Sequence, residues 1–370
     1  MNPVTRQGHK DSSCDELNAE VDGISAHGSV RGAARPSSGE AVPAIAVNRT
    51  VGAVVACFDL QRMTLLMQAI QSVLEQDYPS ELTVVVDHNE ELYLRLLSEL
   101  PENVSVIRNT RSRGAAGARN TAALASDCGL VAFLDDDARA RPGWLRSLVC
   151  AMDEPGVVGV GGRIIPGWQE GRPRWFPPEF GWVVGASIAN DSAKAFPVRN
   201  VWAGSMLVDR EAFQAVNGFR ESLSKVGGAS QPEDTELCLR ISHAYGAAGR
   251  WLMVPPALVE HHVPMHRTTL RYVMDRCWSE GTGKVRLRAI ADDRKQALAD
   301  ERRYLSRTVP RAVGAGVLQS LRSRNPDGLM RSGTLLLGIG AAMLGALTAG
   351  IRVARTRNSR EKKTSGRGEL

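Results

Sequence analysis

The sequence predicts an α/β fold built on a parallel sheet, and three observations carry that prediction. Short apolar runs alternate with segments of helical periodicity four times within about ninety residues. The runs consist largely of small and β-branched residues, as strands covered on both faces require. The last of the four runs ends in three consecutive acids, Asp135, Asp136 and Asp137.

Taken in order, TVGAVVACF (residues 50 to 58) is too short for a helix and reads as a buried strand. RMTLLMQAIQSVLEQ places Leu65, Leu66, Ala69, Ile70, Val73 and Leu74 at helical spacing. LTVVVDHNE carries a second strand over residues 82 to 86 that ends in Asp87, His88 and Asn89, and ELYLRLLSEL is the second helix. VSVIRN is a third strand, GAAGARNTAALAS a glycine-initiated helix, and GLVAFLDDD the fourth strand. Ligands of such sheets lie beyond the carboxyl ends of the strands. The functional side chains are therefore expected at Asp59, Asp87, the loop at Arg113, and Asp135 to Asp137.

From residue 155 the rhythm changes to VVGVGGRII and SMLVD, separated by the aromatic and proline-rich PGWQEGRPRWFPPEFGWVVG. This is read as the second half of one mixed α/β domain spanning residues 46 to 290. Residues 1 to 45, rich in Ser, Gly, Ala, Asp and Arg, read as a disordered leader without the apolar core of a secretion signal. Residues 291 to 331 read as a charged helical linker. Residues 333 to 351 are uncharged, flanked by Arg331 and by Arg352, Arg355 and Arg357. That is long enough for a transmembrane helix over residues 332 to 352, with a membrane-associated or buried helix as the alternative, and residues 353 to 370 read as a basic disordered tail. Ala341, Gly345 and Ala349 give the helix a face of small residues.

The chain carries 46 Lys and Arg against 40 Asp and Glu, a net charge of +6. The excess belongs to the Arg-rich C-terminal region and suits an anionic membrane surface. No aromatic and basic interleaving marks a nucleic-acid groove, so no nucleic-acid partner is expected. The six cysteines form no CxxC pair and read as buried thiols of a reducing compartment.

Four stretches carry chemistry. The DDD triplet suits a divalent cation, Mg2+ or Mn2+, which would bring in a phosphate; equally, the acids fit as caps of the helix near Pro142 and Trp144. In RNTRSRGAAGARNTA, Gly114 and Gly117 permit a tight turn into a helix start that favours anions, beside Arg119; a plain turn is the alternative. In QPEDTELCLR, Glu233 and Asp234 either complement the helix dipole or act on an acceptor hydroxyl as general base. In VEHHVPMHR, three of the seven histidines fall within six residues, at a spacing that matches no standard zinc pattern. One imidazole joining an oxygen-rich metal site is the more economical reading. The aromatics Trp168, Trp175, Phe176, Phe180 and Trp182 either stack on a sugar or lipid acceptor or serve packing.

In this order, over roughly residues 50 to 285, these pieces resemble the family 2 glycosyltransferases, whose GT-A fold is a Rossmann-like mixed α/β sheet. The resemblance implies a nucleotide-sugar donor held by Asp87, Arg113, Gly114, Arg119, Asn120, Asp135 and Asp136. It places a metal at Asp135 and Asp137 with His261 or His262, and makes Asp234 the base within the Glu233 and Asp234 pair. It further implies an inverting transfer to a sugar or lipid-linked acceptor. The apolar segment at residues 333 to 351 places the protein at the cell membrane, and because nucleotide sugars are cytosolic the catalytic domain is expected on the cytoplasmic side. The first strand departs from the family by ending in ACFDL, and the second by ending in DHNEE. The Gln-x-x-Arg-Trp motif of processive synthases is absent, with Arg276 and Trp278 out of that spacing, so single-sugar transfer is expected. The rival readings are a non-catalytic nucleotide-sugar binder on the same fold and a membrane-tethered scaffold.

Overall fold

The computed structural model describes residues 50–187, 192–224, 231–290 and 298–365. The expected leader lies outside the described residues.

The first half follows the expected alternation. Strands β1 (Val51–Cys57), β2 (Ser80–Val86), β3 (Val104–Arg108) and β4 (Leu130–Asp135) are joined through helices α1 (Met63–Leu74), α2 (Glu90–Glu99) and α3 (Ala115–Ala125). All pairings among the four are parallel, in the order β3-β2-β1-β4. Both faces of this sheet are dry because alternate residues of one strand feed two cores. Val51, Ala53 and Val55 pack with Leu66, Ile70, Leu92 and Leu96 of α1 and α2. Val54 on the other face joins Ala118 and Ala122 of α3 with Phe133, Phe213 and Phe219. Continuous apolar strands are the sequence signature of that arrangement.

The second half turns the sheet mixed. After β5 (Ala138–Ala140) and α4 (Trp144–Ala151) come β6 (Val157–Trp168), β7 (Phe196–Val198), β8 (Ser205–Asp209), α5 (Arg210–Ala215), α6 (Glu233–Tyr245) and β9 (Arg250–Val263). The sheet continues from β4 as β8-β6-β9-β5, with β7 also on β9. Strand β8 is antiparallel to both β4 and β6, whereas β6 and β9 are parallel. Strand β9, among the longest, was not legible as one. Pro255 and Pro256 interrupt its pattern, and the ladder with β6 absorbs them as a bulge between Gly162 and Arg163.

Helix α7 (Leu270–Ile290) follows, then α8 (Ala299–Arg303), α9 (Val309–Ser323) and α10 (Asp327–Ser365). A third core joins them to the aromatic segment: Phe176 and Phe180 are 1% and 0% exposed and pack with Val273, Cys277 and Leu335. Those two rings serve packing and are not available to an acceptor. Helical backbone continues past Arg352 into the stretch expected to be a disordered tail, where Arg, Lys and Glu extend an already nucleated helix. The segment expected to be a linker is anchored: Arg199 forms a bidentate pair with Glu301 of α8 at 2.7 and 3.0 Å, and Lys284 of α7 reaches the same carboxylate at 2.7 Å. Cys57, Cys128, Cys238 and Cys277 are buried free thiols as expected.

Candidate active site

The acidic triplet closes β4 and leads into β5, and this short strand determines what surrounds it. β5 pairs antiparallel with β9, setting Ala138 opposite His261. The N–H of His262 donates to the Asp137 carbonyl at 2.8 Å, which locks the register. His261 Nε2 then lies 3.2 Å from Asp137 Oδ1. Among the described residues, Asp135, Asp137 and His261 bring their ligand atoms within 4.8 Å of one another. His262 does not join them. Successive residues of a strand face opposite sides, so only one of the two histidines can reach the triplet, and the expectation of His262 as a ligand is corrected.

The positive partners of the triplet come from elsewhere in the chain. Arg62, just before α1, pairs with Asp136 at 3.0 Å and with Asp137. Arg267, in the turn after β9, stands 3.7 Å from Asp137. Burial acts to raise the Asp137 carboxyl, but His261, Arg62 and Arg267 outweigh it and hold the group far below the usual carboxylate range. The capping alternative does not hold. The N-cap of α4 is Gly143, in left-handed conformation and with no side-chain cap bond. Arg62 and Arg267 were missed in the sequence; their only signal there is position, each within a few residues of a strand end on the ligand side.

Arg119 links the triplet to α6. Its guanidinium donates to Asp135 at 2.7 Å and to Glu233 at 3.1 Å, and lies 5.6 Å from the centre of the Phe219 ring. Burial disfavours its charge, yet Asp135, Glu233 and Asp234 overcome this and raise its pKa further. Glu233 is 5% exposed and committed to Arg119, whereas Asp234, next in the first turn of α6, is half-buried beside the same cation. The two acids called catalytic are thus in different situations.

The glycine loop is built by Asp87. This carboxylate, 7% exposed at the end of β2, accepts from the Gly114 N–H at 2.8 Å and from Asn109 Nδ2 at 2.7 Å, with His88 Nδ1 at 2.8 Å. Gly114 takes φ 118°, and a Cβ on Gly117 would lie 1.9 Å from the Ser112 carbonyl oxygen. Both glycines are therefore dictated by the backbone path. Arg113 between them and Asp87 is exposed. Asn120 is a different case: its amide donates to the Phe219 carbonyl and accepts from the Phe219 N–H, both at 2.8 Å, and the residue is 1% exposed. It staples the segment preceding Glu221, whose carboxylate, opposed by burial but held by the Ser112 N–H, Arg111 and Asn120, is lowered to about 2. Asn120 is thus a scaffold residue, a correction to its expected place among the donor contacts. Asp59, finally, caps the turn at Leu60 through the Gln61 N–H at 2.9 Å.

Two carboxylates and an imidazole form a donor set suited to a hard divalent cation, and His261 Nδ1 is buried without a hydrogen-bond partner, so the ring is not committed to a second protein group. A fixed guanidinium and a half-buried acid at a helix start stand beside that set.

The sequence model described as Glycosyl transferase family 2 matches residues 60–216. A Haloferax volcanii protein named glucosyl-dolichyl phosphate glucuronosyltransferase is 30% identical over 239 residues, covering 63% of this chain and 76% of that protein. A Mycobacterium tuberculosis protein named pre-mycofactocin glycosyltransferase is 32% identical over 174 residues, 46% of this chain and 34% of its own length. Among solved structures, the Pyrobaculum calidifontis mannosyltransferase PcManGT, determined with GDP-Man and Mn2+, superposes with a TM-score of 0.53 at 15% identity, over 90% of this chain and 93% of that one. That likeness establishes a shared fold.

Proposed function

The chain belongs to glycosyltransferase family 2, and on that premise we propose that it moves a single sugar from a nucleotide-diphosphate sugar to an acceptor hydroxyl, with inversion and with a divalent cation. The protein is a glycosyltransferase of GT-A fold. The observation that most supports the finer reading is the convergence of Asp135, Asp137 and His261 within 4.8 Å, tied by Arg119 to the acids that open α6.

Asp135, Asp137 and His261 would hold Mg2+ or Mn2+, which would supply charge to offset that of a diphosphate. Arg113, exposed in the loop before α3, offers the same anion a further positive charge. Asp87 acts here by fixing the Gly114 turn. Asp234 is the base. It takes the proton from the acceptor hydroxyl as that oxygen bonds to the anomeric carbon and the bond from this carbon to the diphosphate breaks. Attack opposite the leaving group inverts the carbon, through a transition state of oxocarbenium character. Glu233 is committed to Arg119 and so positions Asp234.

The Haloferax volcanii relative is named for a dolichyl phosphate substrate, and helix α10 is long and apolar enough to cross a membrane by length and composition. The first supports a lipid-linked acceptor and both support action at a membrane; the cytoplasmic side is assigned because nucleotide sugars are made there. The test is the stereochemistry of the product. With a panel of α-linked nucleotide sugars and Mn2+, NMR of the product should show a β-linkage, and an α-linked product would overturn the mechanism.

A further inference from the structure

Helix α10 has two unlike faces. Leu329, Leu336, Leu337, Met343, Leu344 and Leu347 recur at spacings that place them on one side, and each is more than half exposed. The opposite side is made of small residues and is already occupied. A Cβ on Gly345 would lie 2.2 Å from the Trp278 carbonyl oxygen, and one on Gly281 would lie 1.9 Å from that of Ala342. Gly338 meets Phe180 and Cys277 in the same way. Close backbone packing thus clamps the apolar stretch of α10 along α7.

Helix α7 is polar. Arg271 and Asp275 have side chains 93% and 74% exposed, and Glu280, Lys284, Arg286 and Arg288 follow on the same helix. A charged side chain at the centre of a bilayer is strongly disfavoured. If α10 crossed a membrane with this clamp intact, several such charges would be drawn in with it. Lys284 is also tied to Glu301 of α8, which Arg199 anchors to the sheet domain. The apolar stripe therefore calls for hydrocarbon on one side only.

The surroundings fit one kind of surface. Helix α9 packs against α10 where Gly316 meets Gly328 and the Ser332 hydroxyl, which makes the two a hairpin. Its own Leu318 and Leu321 are 46% and 70% exposed. Arg311, Arg322 and Arg324 are exposed on α9 and its end. From Arg352 onward the sequence carries seven Lys and Arg against two Glu. Apolar side chains among cations match an anionic lipid surface.

We propose that the α9–α10 hairpin is a one-leaflet docking surface for anionic phospholipid, with α10 lying in the membrane plane while clamped to α7. This rests on the membrane association given under the proposed function and replaces the spanning helix with a monotopic one. It would hold the acidic site over the headgroups from which a lipid-linked acceptor is presented.

The full chain, tagged at both ends, is floated with sealed vesicles of phosphatidylglycerol and phosphatidylcholine, or of phosphatidylcholine alone, and then treated with protease from outside. The expected result is flotation with the anionic vesicles, digestion of both tags, and a loss of vesicle binding of more than about tenfold in the triple variant L336E/L344E/L347E. Thermal unfolding of that variant should match that of the parent, which shows that it folds. A protected C-terminal tag would overturn the one-leaflet placement while leaving membrane association standing. Absence of flotation would overturn both, and if light scattering then found a dimer that the triple variant lost, the stripe would belong to a second copy. Neither readout requires sugar transfer, so failure of the catalytic assignment remains distinguishable.

Discussion

Arg62 forms an ion pair with Asp137, the carboxylate that His261 Nε2 approaches to 3.2 Å. A guanidinium from the start of the first helix thereby neutralises the same group that the proposed cation would use. Arg62→Ala should leave Asp136 and Asp137 buried with less compensation, at a cost on the order of 3 kcal/mol in cation-free buffer. Mn2+ should restore most of that loss. Thermal unfolding of parent and variant with and without Mn2+ checks this; a melting temperature unaffected by both the mutation and the ion would contradict it.

Arg119 joins Asp135 to Glu233, two acids on different elements. Lysine keeps the charge but loses the planar fork that serves both partners. Arg119→Lys should fold and retain donor binding, with turnover reduced about a hundredfold because α6 is no longer fixed relative to the triplet. Initial rates at saturating donor, set beside calorimetric donor affinity, separate the two effects.

Gly117 packs against the Ser112 carbonyl so closely that no Cβ fits. Gly117→Ala should displace the 110–114 loop, cost about 1–3 kcal/mol of stability, and raise the donor KM more than it lowers kcat. Steady-state kinetics together with urea unfolding test this, and an unchanged KM would mean that the loop does not touch the donor.

Burial acts to raise the Glu301 carboxyl, but Arg199 and Lys284 bring it from an ordinary 4.5 down to about 2. The unfolded chain therefore takes up a proton at a higher pH than the folded one. The stability this group contributes is present above pH 4.5 and is lost as pH falls from there through about 2. Urea unfolding of parent and Glu301→Gln should show the parent's advantage shrinking by about 2 kcal/mol from neutral pH to about pH 3. A constant difference would place the stabilisation elsewhere.

The parallel half of the sheet was legible because β1, β2 and β4 are buried on both faces and bounded by polar residues, so hydrophobicity alone marks them. Strand β9 was hidden by Pro255 and Pro256, and β5 is only three residues long. Without that pair of strands, nothing local distinguishes His261 from His262. The acids of the site announced themselves by clustering, whereas Arg62 reads as one more basic residue near a helix start. Glu301 looked like part of a charged linker because its partner Arg199 lies far away in sequence, and local pattern carries no information on such a pairing. Asn120 was assigned by motif, but motif position does not reveal that Phe219 takes up both ends of its amide.

The central claim is that Asp234 moves the acceptor's proton while Asp135, Asp137 and His261 provide the cation site. The most direct measurement is turnover of the parent, Asp234→Asn and Asp137→Asn across a Mn2+ titration, using the best donor of the panel. Asp234→Asn should lose roughly a thousandfold in turnover while still binding donor with Mn2+, and Asp137→Asn should lose the Mn2+ response itself. Turnover that survives in both variants and persists after chelation would contradict the account.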